Sequence, residues 1–574
     1  MALPWIRHYD PGVPESLAPY PAKTLVDYAR ENAGQRPDSS AILFKGARIS
    51  NAELNRLSDR FASALVGAGV RRGDTVALVL PNCPQFLIAE LGAWKAGACV
   101  LPLNPLYTGN ELVEPLRSAG VETVVTLTPF YNRLKELQSQ TLVKRVVATN
   151  IKEYLPPLLA ALFTLFKEKK GGHRVVLEAG DAWFRDFLRE GGDAPRADPA
   201  PDDPAIMLLS GGTTGTPKAV VGLHRCLVAA GKQLNVWLQP PKNAPDDIVL
   251  IPLPLFHVYS CVGVQSHCFV SRTPMALVPN PRDIADLLKS IQQVRPTLFS
   301  AVPALFIALL NHPKVKNKSV DFSSIRACFS GAAPLLAATK EQFEALTGGR
   351  IVEGYSLTEA LMACVVNPLN GVNKVGSVGI PLPDVEVAIV DAETGLTFMG
   401  PGESGEIIVR APQLMAGYFN NPEETARALR THGPGAHWLH TGDLGYLDED
   451  SFLFIVDRQK DLIKTSGYQV WPREVEEVLA SHPGVREVGV AGIPDDLKGE
   501  VVKAWVVRCA GTDPSADELR NYCRQKLAPY KTPAQVEFRD SLPKTMAGKV
   551  LRRALVAEHN TNLRQSTSGN PTTV

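Results

Sequence analysis

Thr75–Leu103 reads TVALVLPNCPQFLIAELGAWKAGACVLPL, and the order of its parts decides the fold class. TVALVLP (Thr75–Pro81) is an uncharged run rich in aliphatic residues, the texture of a strand buried on both faces. Phe86–Ala96 follows with the length of a helix and stops at Gly97, and CVLPL (Cys99–Leu103) opens a second strand. A strand, a helix and a second strand in such close succession make a parallel pair with the helix on one face. Outward from this unit, Asn51–Gly67 reads as a helix, and the alternation resumes after Pro204 through IVLIPLPL, MALVP, TLFSAVP and IRACFSG. The expected class is α/β, with α/β sheets through the large N-terminal region.

Beyond Gly379 the texture changes. VEVAIVD (Val385–Asp391) and GEIIVR (Gly405–Arg410) are short strands between Gly/Pro turns and predict a β-rich subdomain. After Arg458 a compact pattern begins, with a helix entered at Pro472 and ended before Pro483, then strands REVGVAG and VVKAWVV. Ser515 and Glu518 have capping-box spacing and open a helix carrying Leu519, Cys523 and Leu527 on one face. The expected division is 1–457, with an insertion at about 150–190, a connection at 458–462, a small α+β domain at 463–560 and a frayed tail at 561–574.

Composition excludes several classes. Lys and Arg number 60 against 59 Asp and Glu, so the net charge of +1 gives no field that would gather nucleic acid. The 9 cysteines are scattered and never form C-x-x-C, which argues for reduced core thiols rather than a disulfide framework or a zinc site. No basic-then-apolar leader and no run of about 18 apolar residues is present, so the cytoplasm is the expected location.

The chemistry concentrates in LLSGGTTGTPKAVVGLHR, Leu208–Arg225. An apolar strand runs into Ser210, Gly211, Gly212, Thr213, Thr214, Gly215, Thr216, Pro217 and Lys218. Its glycines let backbone N–H groups converge on an anion, and its threonines add hydroxyl donors. Pro217 precedes the lysine and Ala219 follows it, so this is not a Walker A loop. Read alone, the segment is equally a Gly/Thr turn between a strand and a helix.

It is followed, in order, by PLFH (Pro254–His257), EGYSLTE (Glu353–Glu359), HTGDLG (His440–Gly445), DRQKDLIKTSGYQV (Asp457–Val470) and PKTMAGKVLRR (Pro543–Arg553). Together these resemble the adenylate-forming superfamily of acyl-CoA synthetases, luciferases and peptide-synthetase adenylation domains, over about Leu25 to Arg553. The resemblance implies ATP, Mg²⁺ and coenzyme A as cofactors, a small carboxylic acid as substrate and no nucleic-acid partner. It implies phosphate contacts from the loop, Mg²⁺ held by Glu359, a phosphate contact from Thr358, and Tyr355 on the adenine, flanked by Gly354 and Ser356 and faced by Gly331, Ala332 and Ala333. Asp443 and Arg458 would hold the ribose, His257 would stand at the acyl pocket, and Lys549 would stabilise charge during adenylation. Lys460 would be the hinge within 458–462 about which a mobile 463–560 turns, and Gly467 would lie beside the pantetheine channel. Attack of a carboxylate on a phosphate brings two anions together, which is why cations and backbone donors are needed.

Within the superfamily, the Ser-Gly-Gly-Thr-Thr-Gly start of the loop and the insertion Asn150–Arg174 look like long-chain fatty-acid–CoA ligases. A fatty-acyl-AMP ligase that loads a carrier protein, an aromatic-acid (4-coumarate-like) CoA ligase and a non-catalytic relative stay open. The pocket would be lined by Val258, Tyr259, Ser260, Cys261, Val264, Gln265 and residues near Gly331 and Leu361–Val365. In the insertion, Leu155–Phe166 is an uncharged stretch followed by Lys167, Lys169 and Lys170. Two readings stand for 155–170: peripheral contact with the inner membrane face, tested at Leu159, Phe163 and Phe166, or packing on the N-terminal domain.

Overall fold

The computed structural model describes residues 3–192, 197–210, 218–239, 246–333, 335–433, 437–458, 461–465, 468–495, 497–544 and 550–567. The chain divides into two compact units, 1–386 with 409–439, and 387–408 with 440–574. In the first unit, Thr75–Val79 and Cys99–Pro102 are parallel neighbours, as their sequence predicts. Between them Pro84–Lys95 is a helix buried on every side, started by a proline at its first turn. Gly92 makes that burial possible, since a Cβ there would stand 2.7 Å from the Phe61 ring of helix Asn51–Gly67. Lys95, enclosed in the same contact, gives its ammonium to Asn55, Ser58 and Asp59 at 2.8–3.0 Å, so no buried charge is left unpaired.

These strands belong to an eight-stranded sheet in the order Gly417–Tyr418, Lys218–Leu223, Pro204–Ser210, Cys99–Pro102, Thr75–Val79, Thr123–Leu127, Arg145–Thr149, Ala182–Trp183. It is parallel from Pro204–Ser210 onward and antiparallel at the other end. A nine-stranded sheet has a parallel centre in the order Arg350–Leu357, Ala327–Ser330, Leu298–Ala301, Val249–Ile251, Met275–Leu277, Ser40–Phe44, with antiparallel strands outside it. Eight of the 9 cysteines are buried and none is in a disulfide.

Glu386–Val390 and Gly405–Arg410, whose larger parts fall in the second unit, are the expected short strands. Farther on, Val485–Asp495 and Gly499–Arg508 form a long hairpin, with Gln535–Phe538 parallel to the latter. Helices Pro472–Ala480 and Ala516–Arg524 cover one face through Val475, Leu479, Leu519 and Cys523. The capping box is only half made. Ser515 accepts from the Glu518 N–H, while the Glu518 carboxylate reaches His482 at 3.3 Å instead of returning to the cap. Trp505 and Val507 face the other way, against Leu555 of helix Arg552–Thr567.

Pro157 occupies the first turn of a helix, Pro157–Phe166, so the two prolines start this segment instead of breaking it. Leu158, Leu165 and Phe166 are 72%, 75% and 71% exposed. Leu159 is at 37%, and Phe163 is half-buried, edge-on to His173 at 4.9 Å. The test residues of the sequence reading therefore divide: Phe166 is open, whereas Phe163 is an anchor. Lys152 tethers the helix through Thr164 at 3.2 Å and Glu168 at 2.6 Å. Among the described residues no helix is long and apolar enough to cross a membrane.

Candidate functional site

Ser210 ends one strand and Lys218 begins the next, paired with it in antiparallel register. The segment between them, Gly211, Gly212, Thr213, Thr214, Gly215, Thr216 and Pro217, lies outside the described residues. It connects two strands, not a strand and a helix. Ala-Val-Val-Gly-Leu after Lys218 is β-prone, and the helix starts only at His224.

Lys218 is ion-paired with Glu424 and stands 5.1 Å over the Tyr418 ring, whose hydroxyl donates to Glu359 at 3.0 Å. Burial, with Glu359 alongside, pushes the Tyr418 phenol up, so it keeps its proton and donates. The Lys218 hydrogen bond holds the Glu424 carboxyl below the usual range. Lys218 and Glu359, both singled out from sequence, are thus joined through Tyr418, while Glu424 holds the lysine; sequence reading missed both Tyr418 and Glu424. Tyr418 sits on an edge strand fixed by its own N–H to Thr425 at 2.9 Å, and Glu424 lies in a helix capped by Asn421. An aromatic residue followed by Asn421 and two glutamates was the available signal.

Thr358 and Glu359 lie in the turn between Arg350–Leu357 and the antiparallel Met362–Val366, where Thr358 O accepts from the Leu361 N–H at 3.0 Å. Among the described residues no group of three or more His, Cys, Asp or Glu could hold a metal. A single carboxylate suits Mg²⁺, which keeps water and substrate phosphate as most of its ligands.

Gly331, Ala332 and Ala333 leave the C-terminal end of Ala327–Ser330, and Gly354, Tyr355 and Ser356 lie in the end of its parallel neighbour, in register Ser330 to Glu353. Crevices at such strand ends are where open α/β sheets bind ligands. Ala332 has φ 67°, which turns the chain sharply there. Tyr355 is buried, and Pro334 lies outside the described residues.

The same ends bound a small apolar cavity of about 40 Å³, lined by Tyr259, Val264, Gly331, Gly354, Met362 and Ala363 among others. Tyr259–Val264 is a π-helical turn, a form that recurs at functional sites. Ser260 and Gln265, expected in the lining, point elsewhere: Ser260 donates to Leu253 O at 3.0 Å and Gln265 donates to the Glu90 carboxyl. Burial pushes that carboxyl up to about 8. Burial also lowers His257, whose Nδ1 accepts from the Tyr259 N–H at 3.3 Å, leaving Nε2 to carry the proton.

In the second unit, Asp443 and Arg458 face each other across two strands, Oδ1 to Nε 2.9 Å. Glu406, also missed from sequence, fastens the strand His437–Leu447 through His440 at 2.8 Å and the Gly442 N–H at 3.0 Å. Arg552 gathers Asp457 and Asp461 at 3.0 Å and Glu476 at 2.7 Å. Burial opposes its charge, and the three carboxylates outweigh that and raise it. Lys460, Gly467 and Lys549 lie outside the described residues; Lys544 and Val550, on either side of the last segment, pair antiparallel.

The AMP-binding enzyme family matches residues 29–419, and the AMP-binding enzyme C-terminal domain matches 474–549. The long-chain-fatty-acid–CoA ligase of Bacillus subtilis (strain 168) is 39% identical over 97% of this chain and 98% of its own. 4-Coumarate–CoA ligase 2 of Oryza sativa subsp. japonica is 33% identical over 93% of this chain and 92% of its own. A crystal structure of ATP-bound MatB from Rhodopseudomonas palustris superposes with a TM-score of 0.79 at 29% identity, covering 94% of this chain and 99% of that one. On the strength of the match over most of its length, the chain belongs to the AMP-binding enzyme family.

Proposed function

We propose that the chain is an ATP-dependent acid–CoA ligase acting on a medium- or long-chain fatty acid. The carboxylate oxygen attacks the α-phosphorus of ATP, giving acyl-AMP and pyrophosphate; the CoA sulfur then displaces AMP, forming the thioester and releasing one proton. The observation that carries this reading is the apolar cavity bounded by Gly331, Gly354 and Ser356. An acid whose chain enters along this apolar wall would have its carboxyl beside the strand ends assigned to the adenine, with Glu359 in the adjoining turn. The Bacillus relative's name agrees with an aliphatic acid, and the rice relative keeps an aromatic acid as the second reading.

Lys549 serves adenylation and Lys460 the turn of 463–560 between the two half-reactions. Lys549→Ala should lower acyl-AMP formation by roughly 10²-fold while sparing thioester formation from supplied acyl-AMP. Equal loss in both would refute the assignment. Lys460→Pro, which fixes φ near roughly −65°, should spare adenylation and depress CoA transfer; parallel changes in the two rates would remove it as the pivot.

The acid is collected at the inner membrane face through 155–170. Leu158, Leu165 and Phe166 are open to solvent beside the exposed Lys167, Lys169 and Lys170, a pattern that fits an anionic lipid surface. Replacing the three apolar residues with Ser should weaken sedimentation with phosphatidylglycerol-containing vesicles. Sedimentation equal to wild type would end this reading and leave the ligase assignment standing.

A further inference from the structure

Met362 opens strand Met362–Val366 and directly follows the turn that carries Thr358 and Glu359. Leu361 and Met362 have φ of 47° and 146°, backbone conformations that residues of their size rarely adopt. Each of the two side chains is received by a glycine. Leu361, wholly buried, lies against Gly222 of strand Lys218–Leu223, where a Cβ would stand 2.9 Å from a Leu361 methyl carbon. Met362, also buried, lies against Gly263 of the π-helical turn Tyr259–Val264, where a Cβ would overlap the Met362 sulfur.

Met362 also borders the apolar cavity. The lining runs from Gly331, Gly354 and Ser356 at the strand ends to Val249 and Leu298, the paired first residues of two strands, so the cavity follows the strands as an extended alkyl chain would. Its volume is about 40 Å³, against roughly 300–1,000 Å³ for a pocket that encloses a small ligand. A long chain therefore enters only where a wall gives way. Among the described lining residues Met362 alone is long and unbranched; the others are branched, aromatic or small. The rotatable bonds and polarizable sulfur of methionine adapt to a new shape where valine, leucine and tyrosine cannot.

We propose that Met362, seated on Gly263, is a specificity-determining residue that sets the bore of the acyl cavity and with it the length of acid admitted. This rests on the acid–ligase reading. The glycine is the recess into which the thioether lies. A side chain at 263 drives the sulfur into the bore, and a small side chain at 362 leaves the bore open.

The test measures pyrophosphate release in the presence of CoA for straight-chain saturated acids from butanoate to palmitate, read as the palmitate-to-butanoate ratio of kcat/KM. Met362→Ala should raise this ratio by about tenfold, chiefly through a lower KM for the longer acids. Gly263→Ala should lower it by about tenfold or more. The double variant should return the ratio to that of wild type or above, because the added methyl then meets no sulfur. A merely structural role would instead lower turnover of every acid alike, with no rescue in the double variant. If Met362→Ala leaves the ratio within about twofold of wild type, or if Gly263→Ala lowers all acids equally, Met362 is a fixed wall and the proposal is overturned. Should Met362→Ala fail to fold, Met362→Leu, close in volume but branched and stiffer, should lower the ratio severalfold, and an unchanged ratio overturns the proposal. Turnover of no acid at all would bring down the ligase reading, and this one with it.

Discussion

The Arg552 guanidinium in one unit and the His267 imidazole in the other are both enclosed, yet they are treated in opposite ways. Arg552 has a carboxylate for every face of its fork: Asp457, Asp461 and both oxygens of Glu476. His267 has nothing for either nitrogen. A polar group paired within the protein makes architecture, because its bonds are complete before any ligand arrives. One without a partner inside the protein forfeits stability there.

Substitutions at these positions probe the contrast. Arg552→Met would strand three carboxylates and should cost about 3–5 kcal/mol in a denaturant titration, with Arg552→Lys restoring only part because a point charge cannot fork. A cost below about 1 kcal/mol would mean that the node is not structural. His267→Leu should instead keep the unfolding free energy at neutral pH or raise it by about 1 kcal/mol. Its pH profile should also change. With the imidazole held at about 4 against an ordinary 6.5, protonation favours the unfolded chain. Wild type therefore has its full His267 contribution above pH 6.5 and loses it as pH falls toward 4, a loss the Leu variant should lack. The smallest effect belongs to Leu158, Leu165 and Phe166, where replacement by Ser should shift stability by about 0.5 kcal/mol or less per site, since these side chains are mostly in water already.

How much of this was legible in the sequence depends on the range of the interaction. Thr75–Leu103 declared itself because burial on both faces leaves an uncharged run, and the loop Ser210–Lys218 because glycine and threonine spacing is local. Tyr418 and Glu424 were invisible, since their partners lie 59 and 206 residues away. Glu406 was hidden in the same way, 34 residues from His440 inside an ordinary-looking strand. His267, within QSHCFVS, reads as any core histidine, and only its unpaired nitrogens distinguish it. The strand after Lys218 was readable from Ala-Val-Val, but the glycine-rich loop drew attention to an anion site and away from the β-prone residues that follow. Pro156 and Pro157 hide the helix in another way: prolines usually end a helical pattern, yet Pro157 begins this one.

The most direct test of the ligase account follows the fate of ATP in the purified full-length chain, given Mg²⁺ and a series of fatty acids, with and without CoA. The account predicts AMP, pyrophosphate and acyl-CoA in equal amounts when CoA is present, and pyrophosphate release that stops near about one equivalent per enzyme when it is withheld. Formation of ADP and phosphate, or steady pyrophosphate release without a thioester product in the presence of CoA, would contradict it.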